Sequence, residues 1–172
     1  MSKITFIVGG ARSGKSTFAA ACVRALNKKI AFIATGEALD KEMRRRILAH
    51  KKSRPVSWDT FEEPYRVASL LKEIKGRYDI VIIDCLTLLV SNLMGKGLPA
   101  RAIEEEMRSI LEELAKSKVR ALIVSNEVGL GIVPASKLGR DFRDIAGRVN
   151  QITAAAADEV FFMVSGIPWS IK

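Results

Sequence analysis

The chain has 172 residues, 48% of them hydrophobic, and a formal net charge of +9, which suits one domain with a core of its own and excludes a disordered or fibrous chain. No stretch approaches the roughly 18 unbroken apolar residues of a membrane span, and the N-terminus lacks the regions of a signal peptide, so a cytoplasmic protein with no membrane span is expected. Its two cysteines, Cys22 and Cys85, are then expected as free thiols.

In chain order, residues 4–8 (ITFIV) read as a buried strand ended by Gly9 and Gly10, and residues 16–26 as a helix. Residues 30–34 (IAFIA) read as a second strand. Residues 38–52 are helical, with Leu39, Met43 and Ile47 at spacing four. Pro64 is expected to open the next helix, with Val67, Leu70, Leu71 and Ile74 inward. Residues 79–85 (DIVIIDC) read as a third strand, buried on both faces as in the centre of a parallel sheet. Residues 87–94 and 100–117 are helical, the second with Ile103, Met107, Ile110, Leu111 and Leu114 on one side. Residues 119–124 make a fourth strand, and a glycine-rich loop (SNEVGLGIVP, 125–134) follows it. Residues 136–157 form a long helix with Leu138, Phe142, Ile145, Val149 and Ile152 inward. Residues 160–164 form a fifth strand, and Gly166 and Pro168 turn into a short terminal strand at 169–171. The alternation predicts an α/β, single-domain P-loop NTPase-like fold over residues 1–172, a mostly parallel sheet flanked by helices with a short C-terminal hairpin strand.

The most specific motif is G-x-x-x-x-G-K-S, spelled by Gly9, Gly10, Ala11, Arg12, Ser13, Gly14, Lys15 and Ser16. Glycines let the backbone wrap phosphate oxygens without a Cβ clash, and successive N–H groups with the following helix N-terminus face the anion. Lys15 is expected on the β- and γ-phosphates and the Ser16 hydroxyl on Mg²⁺. The predicted strand before and helix after the motif are the setting it requires. Asp84, closing the apolar run IVIID, stands where P-loop enzymes hold Mg²⁺. Alone, such an Asp reads equally as a turn or capping residue.

Between Lys41 and Arg54 lie seven basic residues and one acid, Glu42. Such an excess attracts polyanions, nucleic acid or triphosphates alike, unless it is merely a solvated helix face. A GTP-driven switch is disfavoured because no N-K-x-D follows a late strand; the D-x-x-G at Asp144–Gly147 falls within a helical pattern. A motor on nucleic acid is disfavoured by the short chain and its 6% aromatic content. A small-molecule kinase fits best. His50, the one histidine, shares an arc with Leu39, Met43, Ile47 and Arg54, while Arg44, Arg45 and Lys52 point away. It reads either as a packed core residue or as a nucleophile whose imidazole attacks phosphorus, with Lys51 and Arg54 neutralising the charge.

The segments GGARSGKS, IATGEALDKEM, HKKSRP, DCLTLLVSNL, SNEVGLGIVP and GRDFRDIAGRVNQ, in this order and over nearly the whole chain, resemble the bifunctional adenosylcobinamide kinase/adenosylcobinamide-phosphate guanylyltransferase family. The resemblance implies cobalamin (vitamin B12) biosynthesis. Adenosylcobinamide would be phosphorylated with ATP or GTP, and GMP from GTP would then pass through a guanylylated histidine to the phosphate, giving adenosylcobinamide-GDP. It puts the guanylylated histidine at His50. Nucleotide contacts are implied at Gly9–Ser16, at Ala34, Thr35 and Gly36, at Lys51, Lys52, Ser53 and Arg54, and at Glu62 and Asp84. It further implies Mg²⁺ held by Ser16 and Asp84, no nucleic-acid partner, and a homotrimer with the site near a subunit boundary. Some members carry a second histidine where this chain has Ala49, and some have Glu where it has Asp84. The alternative is a P-loop kinase of another small alcohol without guanylyltransferase activity. Residues 125–134 are expected to contact substrate or another subunit, and Glu62 reads otherwise as a first-turn acid of the helix after it.

Overall fold

The computed structural model describes residues 3–38 and 41–172, and leaves outside that description the side chains at 42, 46, 49, 50, 52 and 53. Seven strands form one sheet in the order β3-β2-β4-β5-β1-β6-β7. They are β1 (Lys3–Gly9), β2 (Ile30–Ala34), β3 (Asp59–Glu62), β4 (Ile80–Asp84), β5 (Arg120–Asn126), β6 (Glu159–Val164) and β7 (Ile167–Ser170). All pairings are parallel except β6 with β7. Parallel pairing needs a crossover between successive strands, and the helices supply it: α1 (Lys15–Arg24), α2 (Lys41–Ser53), α3 (Val67–Glu73), α4 (Leu86–Gly95), α5 (Ala100–Lys116) and α6 (Lys137–Ala156).

Side-chain alternation along the strands divides the core into two layers. Ile4, Phe6 and Val8 of β1, Ala31 and Ile33 of β2, and Val81 and Ile83 of β4 face α3, α4, α5 and α6. Ile7, Ile30, Phe32, Ile80 and Ile82 face the other way, toward Ala19 and Val23 of α1 and Trp58. One face therefore packs under four helices. On the opposite face the buried layer among the described residues draws on one helix, α1, and on the short segment around Trp58. That asymmetry leaves room beside α1, over β2.

Most expected elements appear within two or three residues of their predicted limits. β4 lies in the sheet interior between β2 and β5, as its unbroken apolar run predicts, and Ile80–Ile83 are all buried. The α5 stripe is buried at every expected position. Cys22 and Cys85 are free thiols. Asp144 and Gly147 lie inside α6. No helix among the described residues is long and apolar enough to cross a membrane.

Three readings change. β3 is absent from the sequence reading because DTFE is mostly polar and lies at the sheet edge, where a strand has one neighbour and little burial. The helix expected from Pro64 begins at Val67, because residues 59–62 are drawn into the sheet and the chain needs the following residues to turn. Leu138, expected inward, is 69% exposed in the first turn of α6, which lies beyond the edge of the core, whereas Ile145 and Val149 are buried. Leu39 and the inward direction of the His50 side chain lie outside the described residues.

Candidate functional site

The phosphate loop joins β1 to α1. A Cβ at Gly9 would stand 2.6 Å from the Met163 carbonyl oxygen and 2.9 Å from Ser13 Oγ, so no side chain fits. Gly14 has φ +93°, and its Cβ would stand 3.2 Å from Gly166 Cα. The loop is thus pressed against the β6–β7 turn, and the Gly166 amide donates to the Ser13 carbonyl at 3.0 Å. Gly14 is also the N-cap of α1 and offers no side chain to the first-turn amides, which leaves them available to an anion. Lys15, 7% exposed, folds back across the loop and donates to the Gly10 carbonyl at 2.5 Å. Burial lowers its pKa, opposed by Cys85 and Asp84. Ala11 and Arg12 form the exposed outer bend, with Arg12 at φ 57°.

Parallel register brings the remaining nucleotide positions to the same end of the sheet. Ala34 pairs with Glu62 on one side and with Asp84 on the other. Adjacent strands lie about 4.8 Å apart, so the two acids begin from backbones roughly 10 Å apart. Asp84 pairs in turn with Val124 of β5, and Gly9 of β1 pairs with Asn126 two residues further. The helices that follow β1 and β5, α1 and α6, lie on opposite faces. The crevice beyond these two strand ends is a topological switch point, where open α/β sheets bind ligands.

A buried polar network braces these ends. Thr35 Oγ1 donates to the Cys85 carbonyl and accepts from the Cys85 amide. Cys85 Sγ and Thr87 Oγ1 are 3.1 Å apart, and Thr87 Oγ1 also accepts from the Asn126 amide and from its Nδ2. Asn92 Nδ2 donates to the carbonyls of Thr35 and Pro64. Gly36 packs closely on Leu88 and on Ile47 of α2. The sequence reading named Thr35 and included Asn126 in its 125–134 loop, but gave no role to Thr87 or Asn92, whose partners are remote in sequence.

The C-terminal end of α2 reaches this row of residues. Lys51 pairs with Glu62, so the acid reaches across from β3 rather than favouring a helix start. The Arg54 guanidinium lies 3.9 Å from the centroid of the Phe32 ring. Burial lowers the Arg54 pKa, opposed by Asp84 and Glu62. Arg44 and Arg45 are exposed, and Met43, Ile47 and Arg54 are partly buried, which agrees with the expected inward arc. His50, Lys52 and Ser53 lie on α2, with side chains outside the described residues.

Ser16 and Asp84 line the inner end of one groove of about 530 Å³. A hydroxyl and a single carboxylate beside a phosphate loop fit Mg²⁺, which takes few protein oxygens and completes its shell with phosphates and water. No group of three or more His, Cys, Asp or Glu side chains gathers as a metal site among the described residues. The segment 125–134 begins as the last two residues of β5, and Leu130, Ile132 and Val133 beyond it are exposed.

The fold resembles a KaiC-like protein, PH0186, from Pyrococcus horikoshii OT3, with a TM-score of 0.55 at 17% identity over 93% of this chain and 70% of that one. The chain is 41% identical to the bifunctional adenosylcobalamin biosynthesis protein CobU of Salmonella typhimurium, over 96% of this chain and 98% of that protein. It is 40% identical to CobU of Escherichia coli K12, with the same coverage. It is also 40% identical to the bifunctional adenosylcobalamin biosynthesis protein CobP of Pseudomonas aeruginosa, over 96% of this chain and 95% of that protein. A model of the cobinamide kinase / cobinamide phosphate guanyltransferase family matches residues 5–171, and the chain belongs to that family.

Proposed function

We propose that residues 1–172 act as one catalytic domain that phosphorylates adenosylcobinamide with ATP or GTP and then transfers GMP from GTP to the new phosphate, giving adenosylcobinamide-GDP. What carries this reading, beyond family membership, is the convergence of Ser16, Arg54 and Asp84 on one groove beside the phosphate loop, at the end of the helix bearing His50.

In the kinase step the loop amides and Lys15 hold the donor's phosphates and stabilise charge on the transferred phosphoryl group. Ser16 and Asp84 would hold Mg²⁺, which when bound neutralises phosphate charge and orients the phosphate oxygens. In the transfer step an imidazole nitrogen of His50 attacks the α-phosphorus of GTP. The N–P bond forms, the bond from that phosphorus to the β-phosphate oxygen breaks, and pyrophosphate leaves from the loop. A phosphate oxygen of the cobinamide phosphate then attacks the same phosphorus and releases His50. Lys51 and Arg54 supply positive charge beside this centre. The contacts at Ala34, Thr35, Gly36, Lys52, Ser53 and Glu62 belong to the same proposal.

Incubation with α-³²P-labelled GTP and Mg²⁺ tests the transfer step. The expected result is acid-labile, alkali-stable label on the protein, lost in His50→Ala. Cobinamide-dependent ATP turnover with no label on wild-type protein would leave a kinase alone.

We also propose a homotrimer in which the exposed apolar residues of the 125–134 loop meet a neighbouring chain. Leu130, Ile132 and Val133 are all exposed, Ile132 at 98%, and large apolar side chains clustered in solvent mark contact surfaces. Sedimentation equilibrium should give a mass near three chains, and Ile132→Glu should lower it.

A further inference from the structure

Phosphorylation of an alcohol needs a group that takes the hydroxyl proton, and Lys15, Ser16 and Asp84 are already assigned to phosphate and Mg²⁺. A carboxylate is the usual choice. Among the described residues Glu37, Glu62, Glu63, Asp84 and Glu127 stand at or just beyond the carboxyl ends of β2, β3, β4 and β5. Glu37 accepts from the Tyr65 hydroxyl, and Glu62 pairs with Lys51. Glu63 accepts from the Tyr65 and Arg66 amides. Glu127 is the acid that remains, and it is the one tied to the phosphate loop.

Glu127 is the first residue beyond β5, the strand next to the loop's own strand β1. Gly9 pairs with Asn126, and the Glu127 amide donates to the Gly9 carbonyl at 2.9 Å. The next carbonyl of the loop, that of Gly10, accepts from Lys15 Nζ. Glu127 and the Lys15 ammonium therefore hold neighbouring peptides of the same loop. The strand end that carries Glu127 is fixed on both sides. The Asn126 amide donates to Thr87 Oγ1 of α4, and the Asn126 carbonyl accepts from Asn150 Nδ2 of α6. One carboxylate oxygen, Oε1, accepts from the Gly129 amide at 2.6 Å. The other, Oε2, has no hydrogen-bond or ion-pair partner among the described residues, and Glu127 is partly exposed.

We propose that Glu127 is the catalytic base of the kinase step, held by the Gly129 amide so that its free oxygen meets the acceptor hydroxyl. The proposal rests on the kinase reading above and adds the group that receives the proton. Attacking and leaving oxygens lie roughly in line across the transferred phosphorus. The β-phosphate stays in the loop, so the acceptor comes from beyond the strand ends, where Glu127 stands. The acceptor O–H bond breaks and its proton passes to Glu127 Oε2. The oxygen bonds to the γ-phosphorus. The bond from that phosphorus to the bridging β-phosphate oxygen breaks, and its electron pair leaves with the nucleoside diphosphate. Anchoring one oxygen by a backbone amide keeps the other oriented before the substrate arrives. The transfer step differs: its attacking group is an ionised phosphate oxygen, which gives up no proton and has no need of Glu127.

That difference gives the test an internal control in the full-length protein. Glu127→Gln keeps the side chain's shape, the backbone bond to Gly9 and an oxygen for the Gly129 amide. Its kcat for phosphorylating adenosylcobinamide should fall about a hundredfold or more, with ATP affinity by calorimetry within about twofold of wild type. Supplied instead with adenosylcobinamide phosphate and GTP, the same variant should form product at the wild-type rate. Equal losses in the two reactions would make Glu127 a residue that only holds the corrinoid or the loop, and would overturn the proposal. Gly129→Ala tests the anchoring. Gly129 has no positive φ, and an added Cβ would stand 2.9 Å from Glu127 Oε1, so the carboxylate has to shift. Kinase kcat should drop severalfold with ATP affinity intact, and an unchanged kcat would overturn the role of the Gly129 amide. Wild-type protein unable to phosphorylate adenosylcobinamide would overturn the kinase reading itself. Wild-type turnover that Glu127→Gln retains in full would overturn the assignment of Glu127 alone.

Discussion

The side chain of Thr35 replaces a missing backbone rung between two parallel strands. Its Oγ1 donates to the Cys85 carbonyl at 2.7 Å and accepts from the Cys85 amide at 2.8 Å, with Thr35 itself fully buried. The Asp84–Cys85 peptide is cis. The hydroxyl pairs the Cys85 amide and shares the Cys85 carbonyl with the Leu89 amide, and it ties the end of β2 to the end of β4.

Thr35→Val should therefore be costly although it preserves shape. The Cys85 amide would be orphaned while the Cys85 carbonyl keeps the Leu89 amide, so a loss of about 1–3 kcal/mol is expected in urea unfolding. Thr35→Ser should recover most of it. A neutral Thr35→Val would show that the two bonds contribute nothing net.

Lys15→Ala should weaken nucleotide binding, and should lower kcat of the kinase step by roughly a hundredfold or more, the usual effect of removing one preorganised charge-stabilising donor. The measurement is direct titration with ATP and GTP at fixed Mg²⁺. Because burial lowers the Lys15 pKa from 10.5, the ammonium is lost at a lower pH than in an ordinary lysine. Nucleotide affinity should then fall as pH rises through that lowered value, still below 10.5. The same shift acts on stability with the opposite sense. Between the folded and unfolded pKa values the unfolded chain binds more protons, so this group makes folding relatively more favourable as pH rises across that window.

Cys85 acts the other way. Burial first, and Asp84 second, push its pKa from 9.0 to about 11. The folded protein then holds the proton more tightly than the unfolded chain. The contribution to stability is fully present below about 9 and is lost as pH rises toward about 11. Thiol titration of the native protein should find the half-buried Cys22 reacting well before Cys85, and both reacting together in denaturant. Rapid native labelling of Cys85 would contradict its burial.

Gly9→Ala should disturb the loop more than Gly10→Ala. The added Cβ at Gly9 meets backbone at 2.6 Å, whereas nothing lies within 4 Å of one at Gly10. Gly9→Ala is expected to lower both thermal stability and pyrophosphate affinity, and Gly10→Ala neither to a comparable degree. Equal effects would mean that the close approach to Met163 is not what requires glycine.

Asp84→Asn should remove Mg²⁺-dependent tightening of nucleotide binding while sparing the Mg²⁺-independent part. Titrations with and without the metal separate the two. Tightening that survives the substitution would place the metal's carboxylate elsewhere.

What was legible in the sequence was local. The phosphate loop is a run of consecutive backbone conformations, so eight adjacent residues specify it wherever the rest of the chain lies. Buried strands such as Ile80–Ile83 and amphipathic helices such as α5 show in their periodicity, because each residue's burial follows from its position on its own element. Family resemblance then implied a nucleotide contact at Glu62 that no local pattern could.

Tertiary structure alone decided the rest. Glu62 and Asp84 flank Ala34 because two parallel pairings share one register, and register is set between strands far apart in sequence. β3 exists because β2 offers it an open edge, not because DTFE favours a strand. The groove lies beside α1 because this helix does not extend over all of β2 on its face of the sheet. The sequence by itself specified the loop at residues 9–16 to which the proposed function assigns the phosphates. That Phe32 and Trp58 line one groove with Ser16, Arg54 and Asp84 follows only from which surfaces the packed helices leave uncovered.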